Sequence, residues 1–181
     1  MKVVIAPDSF KESMSAKEVC DCAERGILSL FPDWEIVKVP MADGGEGTVE
    51  SLIDGTNGKI YNEETLNPLG EKIISKYGVL GDKNIAIIEM ATTSGLELIP
   101  ESKRNPYRTT TYGTGQLMLK DLDHNVEKII LGIGGSATTD GGAGMLQALG
   151  AKLTDKEGNE IGFGGFELGK LENIDFSGLD E

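Results

Sequence analysis

Histidine, tryptophan and cysteine are scarce in this chain of 181 residues, which holds one, one and two of them. The lone histidine, His124, lies in the polar break KDLDHNVEK. No histidine-based triad or zinc site is to be built from it, and a solvated loop is its expected setting. Cys20 and Cys22 stand two apart on a helical stretch and so point to different faces, which leaves them unable to pair or share a metal. Positive charge is also short. Seventeen Lys and Arg against 30 Asp and Glu leave a net −13, which argues against nucleic acid or an anionic membrane as partner. No apolar run approaches a membrane span, and MKVVIAPD turns polar where a signal peptide would stay apolar, so the expected compartment is the cytoplasm. The 39% hydrophobic residues suffice for one substantial core, or a core with a small satellite.

The chain does have short β-branched runs that alternate with helical patterns. KVVIAP (2–7), WEIVKVP (34–40), NIAIIEM (84–90) and VEKIILGI (126–133) read as strands. Ser15 and Glu18 have capping-box spacing before a helix whose stripe is Val19, Ala23, Ile27 and Leu30. TVESLID, a stretch from about Thr114 to Leu122, and GAGMLQALG read as further helices. Residues 58–82 alternate around Pro68 and Gly70 and read as a hairpin, while DKEGNE reads as a turn in a weakly patterned final stretch. Strand–helix alternation predicts a mainly parallel, Rossmann-like α/β sheet with helices on both faces. Ligands of such sheets lie beyond the carboxyl ends of the strands. The loops 8–11, 41–48, 91–95 and 132–142 all occupy that position, and parallel neighbours would gather them on one rim.

The chemistry of these loops narrows the ligand. LGIGGSATTDGGAG (131–144) combines glycines, which admit close backbone approach, with hydroxyls that donate to phosphate oxygens. It has no lysine, so it is not a G-x-x-x-x-G-K-[ST] loop. GIGGSA also satisfies G-x-G-x-x-A, with Asp155 about twenty residues on, so a nicotinamide-dependent oxidoreductase stays open as an alternative. That reading leaves the clustered Ser136, Thr138, Thr139 and Asp140 without a purpose. In ADGGEGT (42–48), Asp43 and Glu46 suit Mg²⁺ or ligand hydroxyls, or else a solvated turn before Thr48. Asp8 and Lys11 of DSFK are either a surface pair or a rim pair in which lysine neutralises phosphate charge. Arg104 and Arg108, ahead of Thr109, Thr110 and Thr111, offer a fork for a small carboxylate or are solvated connector residues.

The segments APDSFKESMSA, PMADGGEGT, EMATTSGLELIP, RNPYRTTTYGTGQL and GIGGSATTDGGAGMLQALG, in this order, closely resemble the signature segments of bacterial glycerate kinases of the first type. Glu12 and Met14 stand where that family usually has glycine and leucine. The resemblance implies two dissimilar α/β domains with the active site between them, and transfer of phosphate from ATP with Mg²⁺ to D-glycerate, giving 2- or 3-phosphoglycerate. Family chains extend well beyond this one, which resembles their N-terminal half; the missing half or a second copy is then a candidate partner, and a non-catalytic nucleotide-binding fragment is a further alternative. The expected organisation is a Rossmann-like domain over 1–57 and 105–155, a hairpin segment over 58–104 as candidate part of a second, smaller α/β domain, and an incomplete segment over 156–181. The resemblance and the loop chemistry together imply site roles. Asp140 orients or deprotonates the glycerate hydroxyl, Lys11 stabilises the transferring group, and Asp8 joins them as a catalytic candidate. Gly134, Gly135, Ser136, Thr138, Thr139 and Gly141 hold phosphates. Asp43, Ser94, Arg104 and Thr109 to Thr111 contact substrate, and Asp43 and Glu46 hold metal.

Overall fold

The computed structural model describes residues 1–10, 13–41, 44, 47–81, 84–122, 124 and 126–179. Strands β1 (Lys2–Ile5) and β2 (Glu35–Lys38) pair in parallel, flanking helix α1 (Ala16–Leu30) in sequence. The capping box forms as the spacing predicts, with Ser15 Oγ accepting from the Glu18 amide and Glu18 returning a bond to the Ser15 amide. The buried side of α1 is Ala16 and Cys20, while Leu30 at the end of the expected stripe lies 74% exposed. The stripe is thus rotated toward Cys20, whose thiol reaches the Ile5 carbonyl.

After helix α2 (Thr48–Thr56), strands β3 (Lys59–Leu66) and β4 (Lys72–Val79) form the expected hairpin. Asn67 closes its turn by accepting from the Leu69 and Glu71 amides, and Gly70 supplies the positive φ of 78°. The hairpin joins β5 (Ile85–Glu89) antiparallel, and β5 pairs with β6 (Lys128–Gly132) in parallel, giving the order β3-β4-β5-β6. The largest sheet among the described residues thus combines the parallel β5–β6 pair with the antiparallel hairpin, within the expected α/β class.

Helices cover both faces of that sheet. Neighbouring strand residues point to opposite sides. Ile87 packs with Val49 and Ile53 of α2, whereas Ile88 packs with Tyr77 and with Leu117 of α4 (Tyr112–Leu122). Gly78 is needed on the α2 side, because a Cβ there would lie 2.6 Å from Ile53.

The short α3 (Ala91–Ser94) follows β5, and α5 (Ala143–Ala148) follows the long loop after β6. The final stretch is more ordered than its weak pattern suggests. Strands β7 (Lys152–Thr154) and β8 (Asn173–Asp175) pair antiparallel over a small core of Ala143, Ala151, Leu153 and Ile161. His124 is exposed, as expected, its ring 4.2 Å from that of Tyr61. No helix among the described residues is long and apolar enough to cross a membrane.

Candidate functional site

Strand exits meet at one edge of the molecule. The Met41 amide donates to the Pro7 carbonyl, which ties the first loop to the second. The Gly134 amide donates to the Gly44 carbonyl, which ties the second to the fourth. Gly132 permits this approach, since a Cβ there would stand 2.5 Å from the Gly44 oxygen. The third loop is stitched in by Leu96 to Gly135, Ala137 to Ser94 and Met90 to Gly132, each an amide donating to a carbonyl. Lys11, Asp43 and Glu46 lie outside the described residues.

The predicted residues divide into a surface layer and a buried lattice. On the surface, Gly135, Ser136, Thr139 and Gly141 are exposed, and Gly134 and Thr138 are half-buried. Gly135 and Gly141 take φ of 72° and 60°, so the loop folds over glycines in the left-handed region. Ser136 Oγ bonds Thr138 Oγ1 at 3.0 Å, and Thr139 Oγ1 donates to the Pro106 carbonyl. Asp8 is exposed and caps the next amide, that of Ser9. Arg104 is exposed too, with Nε donating to the Ile99 carbonyl.

Beneath the loop lies the lattice. Asp140 is 1% exposed, and its Oδ2 accepts from the Thr111 amide at 2.8 Å, the Thr111 hydroxyl at 2.9 Å and the Gly144 amide at 3.2 Å. Its Oδ1 accepts from the Gly142 amide. Thr109 gives its hydroxyl to the Ala137 carbonyl, and Ser94 shares a bond with Thr114. This geometry bears on two expectations. The hydroxyls of Ser94 and Thr109 to Thr111 do not line an open pocket, because they are buried and bonded within the protein. Asp140 is not placed as a base facing solvent. A carboxylate surrounded by donors positions the loop and α5.

The G-x-G-x-x-A match also fails its structural condition. That fingerprint must open a helix directly after the strand, whereas α5 starts only at Ala143. Asp155 serves its own turn, accepting from the Glu157 and Asn159 amides. These bonds, the Asn159 amide foremost, hold its carboxyl below the ordinary range.

One residue escaped sequence reading. Glu89 closes β5, is 2% exposed, and accepts the Val49 amide at 2.7 Å. Burial pushes its carboxyl above the ordinary range, opposed by the hydrogen bonds from Val49 and Thr48 at the start of α2. The only signal was a charge at the end of a buried run, IAIIE. A cleft of about 520 Å³ opens beside this point, lined by Ser9, Ser13, Met41, Gly47, Glu50 and Lys76, with Lys76 paired to Glu50.

The model of the glycerate kinase family matches residues 3–181. The chain belongs to that family. It is 58% identical over 180 residues to glycerate 2-kinase of Escherichia coli K12, and 57% identical over 180 residues to glycerate kinase of Bacillus subtilis 168; each match covers 99% of this chain and 47% of the relative. A crystal structure from Salmonella typhimurium LT2, provisionally named glycerate kinase 2, superposes with a TM-score of 0.89 at 54% identity, covering 99% of this chain and 48% of that one. The chain thus spans about half the length of the curated relatives it matches.

Proposed function

We propose that the protein to which this chain belongs phosphorylates D-glycerate with ATP, the phosphates resting on the 134–141 loop. The observation that carries this reading is an exposed glycine and hydroxyl loop, held rigid by a buried carboxylate lattice, in a chain of the glycerate kinase family. Phosphoryl transfer requires mainly positioning and charge neutralisation, and a loop that cannot sag provides the first. In this reading Gly135, Ser136 and Gly141 offer amides and a hydroxyl to phosphate oxygens, while Gly134, whose amide donates to the Gly44 carbonyl, ties the loop to its neighbour. Asp140 holds the loop, and Lys11 neutralises charge on the transferring group. Arg104 meets the glycerate carboxylate through its exposed guanidinium edge.

Among the described residues no group of three His, Cys, Asp or Glu could hold a metal. Magnesium is usually held by one or two carboxylates plus phosphates, which leaves Asp43 and Glu46 as its proposed partners. When bound, Mg²⁺ would neutralise phosphate charge. Asp8, exposed at the first strand exit, takes the place proposed for proton removal now that Asp140 is engaged. We favour 2-phosphoglycerate as product, following the name of the Escherichia coli relative, and the cytoplasm as setting.

An ADP-release assay with D-glycerate, ATP and Mg²⁺ tests the reading, first on this chain and then with the relatives' remaining half supplied as a separate polypeptide. Glycerate-dependent ADP release in either preparation supports it, and enolase coupling identifies 2-phosphoglycerate. Activity only with both pieces would make this chain a binding half. No release in either, or NADH binding in place of an ATP analogue, would overturn the kinase reading.

A further inference from the structure

Glu89 is a buried carboxylate at the exit of β5 that reaches the start of helix α2. Helix α2 begins with unsatisfied amides, and its N-cap residue, Gly47, has no side chain to accept them. A serine or aspartate at that position would cap the helix locally. Instead Gly47 takes φ of 88°, and the acceptor comes from another element: Glu89 Oε1 receives the Val49 amide at 2.7 Å, and the Thr48 amide also bonds the carboxylate. Burying a charge is expensive, and two amides and the positive end of a nine-residue helix offset part of that cost. The same Glu89 stands opposite Gly132 in the β5–β6 register, and Gly132 is the residue on which Gly44 packs. One side chain therefore fixes the start of α2 against the β5 and β6 exits, with the Lys76–Glu50 pair alongside.

We propose that Glu89 is a positioning residue for phosphoryl transfer: it caps α2 from outside the helix and so holds the rim on which the phosphate loop is built. The inference rests on the kinase reading, and one arm of its test does not need activity. In hydrogen exchange on the chain itself, Glu89→Met, which keeps the volume but removes the acceptor, should speed exchange of the 48–51 amides by about tenfold or more with other helices unchanged. Glu89→Gln, which keeps one acceptor oxygen, should fall between it and the parent. In whichever preparation phosphorylates D-glycerate, Glu89→Met should lower kcat by about a hundredfold and Glu89→Gln by about tenfold, with the KM for D-glycerate within about threefold.

A merely structural residue would lower melting temperature while leaving kcat per folded molecule intact. That result, or unchanged exchange at 48–51, would overturn the proposal. Should Glu89→Met not fold, Glu89→Gln decides alone: parental kcat refutes the role. If the parent itself proves inactive, the kinase reading fails, while the exchange arm still reports whether Glu89 anchors α2.

Discussion

Asp140 Oδ2 stands 2.8 Å from the Thr111 amide nitrogen and 2.9 Å from the Thr111 hydroxyl, so one carboxylate oxygen grips a threonine by main chain and side chain at once. The grip joins the start of α4 to that of α5, since Thr111 Oγ1 also accepts the Met145 amide. Asp140→Ala should therefore destabilise the chain by about 3 kcal/mol, because several buried donors lose their acceptor together. Asp140→Asn, which retains one carbonyl oxygen, should cost about 1–2 kcal/mol. Urea unfolding followed by circular dichroism measures both. Parental stability with lost turnover would instead restore the general-base role.

Gly132 and Gly44 meet with no room between them. A Cβ on Gly132 would lie 2.5 Å from the Gly44 oxygen, a backbone atom that cannot swing aside. Gly132→Ala should force the two loops apart, costing about 1–3 kcal/mol and weakening an ATP analogue in a fluorescence titration. Gly26 provides the contrast: it lies within α1 with nothing within 4 Å of its Cβ position. Gly26→Ala should raise stability by about 0.5–1 kcal/mol through helix propensity, without touching nucleotide affinity.

Ser136 tests the surface layer separately from the lattice below. Its hydroxyl is exposed and bonds Thr138, another surface-loop residue. Ser136→Ala should leave unfolding within about 0.5 kcal/mol of the parent. The same change should weaken the ATP analogue by roughly threefold to tenfold, the value of one hydrogen bond to a charged phosphate. Equal affinity in the two proteins would remove Ser136 from the phosphate site.

The strands were legible because short β-branched runs such as NIAIIEM, bounded by turn residues, suit a buried strand better than a helix. The cap of α1 was legible because Ser15 and Glu18 satisfy each other locally. What escaped was non-local. The mixed sheet order depends on β4 meeting β5 through only two residue pairs, Gly78 with Ile87 and Val79 with Ala86. The hydroxyls of 109–111 read as ligand contacts because a threonine turned inward and one turned outward look alike in sequence. Only the structure shows that Asp140 engages the hydroxyls of Thr110 and Thr111, and the Ala137 carbonyl that of Thr109. Glu89 was missed for the same reason, since its partner Val49 lies forty positions away.

Asp121 gives the sharpest pH dependence. It lies one turn beyond Leu117 on the inner side of α4, fully buried, and neither carboxylate oxygen has a hydrogen-bond partner among the described residues. Burial alone pushes its pKa up to about 8 from 3.8. The folded protein then holds a proton that the unfolded chain releases near pH 4, so stability from this group is full below that pH and is lost as pH rises toward 8. Each pH unit across that window should remove up to about 1.4 kcal/mol. Other carboxylates titrate as well, so the clean measurement is the difference between the parent and Asp121→Asn, whose amide does not ionise. Urea unfolding at pH 5, 6, 7 and 8 should show the variant gaining on the parent at each step, the gain levelling off above about pH 8. A difference that stays flat across the series would mean that Asp121 is ionised in the fold, and would require a cation or donor beside it.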